Sequence, residues 1–124
     1  MKKILIIDDS RTMLSMMSAV LKGSGFDVET TEKGSESHTL VKDWKPDLII
    51  LDVMLPDANG FDILAKFKSE ESSRDIPVVL LTGRDSPEET SKGLELGAVG
   101  YLVKHRTMPK VLVEKVKSWL PKDP

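Results

Sequence analysis

Five short apolar runs punctuate the chain, at residues 4–7, 26–28, 48–51, 78–81 and 99–103. The first, third and fourth are unbroken stretches of Ile, Val and Leu. An unbroken run suits a strand buried on both faces, as in a parallel sheet covered by helices on each side. The second run is weaker and alternates, as an edge strand does.

Longer segments with helical spacing separate these runs. Met13, Met16, Met17, Val20 and Leu21 follow the i, i+3, i+4 pattern of a helix packed on one side. Ser10 is its expected N-cap, and Gly23 and Gly25 mark its exit. The methionines read as core filling. Ser35 is the expected cap of a second helix, which must end before Lys45-Pro46. A third runs from about Phe61 through Leu64 and Phe67. Ser86-Pro87-Glu88-Glu89 opens a fourth with a capping serine, a first-turn proline and a glutamate placed to reach back. Gly97 stops it. A fifth extends from about Met108 to Leu120, closed by Pro121, with Trp119 on its packing face. Strand and helix alternate five times. Parallel strands need crossovers, and right-handed crossovers put helices on both faces. The expected fold is α/β, a doubly wound five-stranded parallel sheet.

The 124 residues suit one domain with its own core. No cysteine is present, which excludes disulfides and thiolate chemistry. Charged residues make up 31% of the chain but the net charge is only -2, which gives no field for nucleic acid or membrane binding. Two aspartates interrupt the N-terminal apolar run after four residues, against the roughly 7–15 that a secretory signal needs. The expected localisation is cytoplasmic. His38 and His105 have no metal-ligand companions.

In an open parallel sheet, ligands bind beyond the carboxyl ends of the strands. The first strand ends in Asp8-Asp9, the third in Asp52, the fourth in Thr82-Gly83 and the fifth in Lys104. Clustered carboxylates oppose one another's ionisation. A hard cation offsets this, and magnesium takes one or two carboxylates while keeping waters and phosphate oxygens. A third aspartate is then available as a nucleophile that becomes an aspartyl-phosphate. Lys104 would neutralise phosphoryl oxygens and Thr82 would donate to one. Alone, each residue has a plainer reading: a helix N-terminus that favours negative charge for Asp8 or Asp9, a strand-end hydroxyl for Thr82, a solvated lysine for Lys104.

The segments IIDDS, LIILDVMLPDANG, VVLLTGR and GAVGYLVK together resemble the receiver domains of two-component response regulators, of the chemotaxis-regulator type, over essentially the whole chain. The resemblance implies a flavodoxin-like sheet of order 2-1-3-4-5, with a receiver domain over 1–120 and a tail or linker start at 121–124. It implies that Asp52 accepts a phosphoryl group from a sensor histidine kinase, a phosphotransfer protein or a small phosphodonor. Asp9, Asp52 and the Met54 backbone carbonyl would bind Mg, and Asp8 would hold the metal's waters. Thr82 and Tyr101 match the switch pair. The output face would be the fourth helix, fifth strand and fifth helix, open to an effector or a homodimer, with no nucleic acid or membrane contact by this domain. Such a domain assists its own phosphorylation and dephosphorylation and is not otherwise an enzyme.

Three positions depart from the family pattern. His105 replaces the proline that usually follows the conserved lysine, so the bond is expected to be trans or locally strained. Met54 and Arg84 occupy the positions that influence phosphoryl lifetime. Met54 cannot orient an attacking water and Arg84 could shield the phosphoryl group, so slow self-dephosphorylation is expected, with Met54→Asn as its test. Two alternatives stand beside this reading: a haloacid-dehalogenase-type phosphatase using Asp8, against which Ser10 stands where a second aspartate is required, and a receiver-fold interaction module that signals without phosphorylation. Mutual repulsion at Asp8 and Asp9 further implies that neutralising either raises metal-free stability and abolishes phosphorylation.

Overall fold

The computed structural model describes residues 1–83 and 86–121. In chain order it has β1 (Lys3–Ile7), α1 (Arg11–Gly23), β2 (Asp27–Thr31), a 3-10 turn (Gly34–Glu36), α2 (Ser37–Trp44), β3 (Leu48–Asp52), α3 (Gly60–Ser69), β4 (Val78–Thr82), α4 (Pro87–Glu95), β5 (Gly100–Val103), a second 3-10 turn (Lys104–Arg106) and α5 (Pro109–Trp119). All pairings in the sheet are parallel and the order is β2-β1-β3-β4-β5. This is the doubly wound arrangement expected from the alternation.

Side chains alternate across a strand, so the unbroken runs feed two cores at once. Ile4, Ile6, Ile50 and Leu81 face α1 and α5 through Met17, Leu21, Leu112 and Val116. Leu5, Ile7, Ile49 and Leu80 join the opposite core with Val41, Phe61, Leu64 and Phe67 of α2 and α3. Each fully buried side chain of this size contributes about 1.5–3 kcal/mol, so the central strands anchor the sheet. Met17 is fully buried, with Met13 and Met16 packed beside it, as core filling requires.

Ser10 and Ser86 cap as expected, accepting the backbone N–H of Met13 and Glu89, each at 3.3 Å. Asn59 caps α3, accepting Phe61 N–H at 2.8 Å. Lys45 closes α2 in the left-handed region at φ 54, and Gly97 follows α4 at φ 107.

Three expectations need correction. Ser35 does not cap α2. The Asp57 carboxylate takes the N–H groups of Gly34 and Ser35, both at 3.0 Å, and winds them into the 3-10 turn that precedes Ser37. The second strand covers Asp27–Thr31, not 26–28, because it pairs residue for residue with Lys3–Ile7. Phe26 packs in the core before it. Val99 lies outside β5, which begins at Gly100.

Among the described residues every peptide bond is trans, including Lys104-His105, and no helix is long and apolar enough to cross a membrane.

Candidate phosphoryl and metal site

The carboxyl ends of β1, β3, β4 and β5 bring Asp8, Asp52, Thr82 and Lys104 to one edge of the sheet. Lys104 Nζ donates to Asp8 Oδ1 at 3.0 Å and to Asp52 Oδ2 at 2.9 Å. One ammonium therefore bridges two carboxylates that are far apart in the chain. His105 does not keep Lys104 from the site.

Asp52 is buried at the end of β3, and its Oδ1 accepts the Met54 N–H at 3.0 Å. The helix start behind it is tightly seated, since any side chain at Gly60 would strike the backbone of Asp52 and Val53. Burial pushes the Asp52 carboxyl up to about 7, helped by the hydrogen bond and charge of Asp8 and only partly opposed by Lys104 and the Met54 N–H. Burial alone would pull the Lys104 ammonium down, but its hydrogen bonds to Asp52 and Asp8 and their charges hold it above the usual lysine value.

Asp8 is fully buried. Its Oδ1 accepts the Ser10 N–H at 3.1 Å as well as Lys104, whereas its buried Oδ2 has no hydrogen-bond partner. Such an orphaned oxygen is costly unless something else engages it. Asp9 is exposed beside it. Asp8, Asp9 and Asp52 can each offer one oxygen within 4.8 Å of the others. An all-carboxylate set with an unpartnered buried oxygen fits a hard divalent cation such as magnesium. The three aspartates expected at the metal therefore lie together.

A cavity of about 340 Å³ opens over Asp52, lined also by Met54, Thr82, Glu89 and Lys104. Thr82 is buried at the end of β4, and its hydroxyl donates to Glu89 Oε1 at 3.4 Å. Tyr101 is half-buried on β5, where it pairs with Leu80, two positions before the Thr82–Val103 pair. The proposed switch residues thus sit on adjacent strands. The Met54 side chain is 70% exposed at the cavity mouth. Arg84 lies outside the described residues. His38 belongs elsewhere, 3.6 Å from Glu70 and edge-on to Phe67 at 4.6 Å between ring centroids.

Two contacts were not legible beforehand. In sequence Glu89 has the place of a helix-cap residue, yet its carboxylate accepts the Thr82 hydroxyl. No local pattern marks the bond from Lys104 to Asp8, which lies 96 residues away in the chain.

A family model for the response regulator receiver domain matches residues 4–117. The DNA-binding response regulator MtrA of Mycolicibacterium smegmatis is 36% identical over 119 residues, covering 96% of this chain and 50% of that protein. The phosphate regulon transcriptional regulatory protein PhoB of Escherichia coli is 40% identical over 118 residues, covering 94% and 51% respectively. The chain thus spans about half the length of the curated relatives it matches. Among solved structures, the chemotaxis protein CheY4 of Vibrio cholerae superposes with a TM-score of 0.91 at 32% identity, covering 97% of this chain and 99% of that one. The BeF3-activated N-terminal receiver domain of Klebsiella pneumoniae RstA gives 0.89 at 30% identity, covering 98% and 100%.

Proposed function

The chain belongs to the response regulator receiver domains, phosphoacceptor switches of two-component signalling, and from that premise we propose that Asp52 is its phosphoacceptor. The observation that carries this is the Lys104 ammonium, 2.9 Å from Asp52 Oδ2, at the floor of the cavity over Asp52. Family membership removes the ground for a dehalogenase-type phosphatase built on Asp8.

An Asp52 oxygen attacks the phosphorus of a phosphohistidine or small acyl phosphate, and the bond from phosphorus to the donor breaks as the acyl phosphate forms. The carboxyl must be ionised to attack, yet burial favours its neutral form. Asp8, Asp9, Asp52 and the Met54 carbonyl would hold a divalent cation, which would supply positive charge favouring the carboxylate and offsetting the transferred phosphoryl group. Lys104 adds a positive charge from the turn that follows β5. The new group brings a charge of roughly -1.5 to -2, by analogy with a phosphate monoester. Thr82 then turns its hydroxyl to the phosphoryl group and Tyr101 follows inward. The output surface is α4–β5–α5, which receives an effector or a second copy. The histidine kinase as donor, magnesium as the ion and a cytoplasmic setting complete the reading, with the receiver domain taken as residues 1–120. The tail from 122 onward lies outside the described residues, as does the part that Arg84 would play in phosphoryl lifetime.

The test is incubation with acetyl phosphate and magnesium. Wild type acquires an acid-labile phosphoryl group and Asp52→Asn does not. Labelling that survives in Asp52→Asn would refute the assignment. Slow decay of the phosphorylated form, accelerated in Met54→Asn, checks the lifetime reading.

A further inference from the structure

Among the described residues, the cavity over Asp52 is lined by one other carboxylate, that of Glu89. Glu89 is the third residue of α4, and its N–H donates to the capping Ser86 hydroxyl at 3.3 Å. Its half-buried side chain turns back toward the sheet and accepts the Thr82 hydroxyl at 3.4 Å. The bond spans the connection between β4 and α4. It ties the side chain that closes one element to the first turn of the next.

Two consequences follow from elementary chemistry, and they act in the same direction. A threonine hydroxyl has one proton to donate. While Glu89 accepts it, that proton is not available to a phosphoryl oxygen on Asp52. The Glu89 charge also shares a cavity with the site where the phosphoryl charge arrives, and like charges in a partly desolvated cavity repel. A group shifts a two-state equilibrium only if it interacts differently with the two states. Glu89 meets that condition twice, since it gains a hydrogen bond in the unphosphorylated state and suffers repulsion in the phosphorylated one.

We propose that Glu89 is a latch on the unphosphorylated state, holding Thr82 to α4 until the phosphoryl charge expels it. Phosphorylation then releases the first turn of α4 from the end of β4, which links the chemistry at Asp52 to movement of α4. The inference rests on Asp52 as phosphoacceptor.

The test is beryllofluoride affinity at fixed magnesium, read from amide shifts by NMR. Glu89→Gln keeps an acceptor but removes the charge, whereas Glu89→Ala removes both. Release of a charge-assisted bond and of the repulsion predicts binding tightened about threefold in Glu89→Gln and about tenfold in Glu89→Ala. In a Thr82→Ala background the gain from Glu89→Ala falls to about that of Glu89→Gln, because the hydrogen bond is already gone. A helix-capping role alone does not produce that dependence on Thr82. If wild type binds beryllofluoride and both Glu89 variants bind no tighter, the latch is wrong while the Asp52 reading stands. If wild type does not bind it at all, both fall. Should Glu89→Ala not fold, Glu89→Gln decides: unchanged affinity overturns the proposal.

Discussion

The two ends of the sheet handle charge in opposite ways. At the amino end, polar groups meet in matched pairs. Lys3 donates its N–H to Asp47 Oδ2 at 2.7 Å and its ammonium to the Trp44 carbonyl at 3.1 Å, while Asp47 N–H returns to the Lys3 carbonyl at 2.7 Å. Lys68 likewise closes two carbonyls, those of Arg74 and Ile76, at 3.1 and 2.7 Å. At the carboxyl end three aspartates cluster, two of them share Lys104, and a fully buried oxygen of Asp8 is left without a hydrogen bond. The amino end is finished by the fold itself. On the proposed reading an added cation would complete the carboxyl end, and the clustering of carboxylates there is a cost to stability.

The sharpest way to break this contrast is to remove Lys104, the cation that pairs with these carboxylates among the described residues. Lys104→Ala leaves two buried carboxylates uncompensated and should lower stability by about 2–3 kcal/mol, measured by urea unfolding in metal-free buffer at neutral pH. A loss no larger than that at the amino end would erase the distinction.

Titration tests the same point next. The folded state holds the Asp52 proton up to about pH 7, against an ordinary value of 3.8. Between those limits the folded chain binds more protons than the unfolded one, so this group's contribution is fully present below about 3.8 and is lost as pH rises toward 7. The unfolding free energy of wild type minus that of Asp52→Asn, in metal-free buffer, should therefore fall across this window, and saturating magnesium should reduce the fall. A difference that rises with pH would mean that Asp52 gains more from Lys104 than it loses by burial.

Asp8→Asn should then raise metal-free stability by about 1 kcal/mol, by relieving repulsion among the carboxylates, and abolish both phosphorylation and the rise in Tm on adding magnesium. Asp9→Asn should move Tm less, because Asp9 is exposed. A lower metal-free Tm in Asp8→Asn would contradict the account of an overcharged edge. At the finished end a change should touch stability alone. Asp47→Ala removes the acceptor of one backbone N–H and should cost about 1 kcal/mol with the phosphorylation rate unchanged.

The sequence makes the sheet and the site legible for the same reason. The unbroken runs at 48–51 and 78–81 can be buried only between two layers, and the residue closing each run must then lie at the ligand-binding edge. Strand β2 was less legible, because Asp27 and Glu29 give it little apolar signal and its extent is set by pairing with Lys3–Ile7. Ser35 misled because its own cap chemistry was sound. What displaced it was Asp57, 22 residues further along, which no local pattern connects to it. Glu89 misled in the same manner, since Ser86-Pro87-Glu88-Glu89 reads as a complete local motif and gives no sign that Thr82 is near. Local spacing thus exposed which residues end each element, but not the partners the fold brings to them from elsewhere in the chain.

Trp119 packs so closely over Gly100 that a side chain there would come within 2.6 Å of the indole. The other tryptophan, Trp44, packs against the core on the opposite face of the sheet, its ring centroid 5.4 Å from the Lys3 ammonium. Residue 100 immediately precedes Tyr101. A Trp44→Phe variant therefore carries a single tryptophan seated against the strand that is expected to rearrange, and its emission becomes an optical gauge of that strand with no label attached.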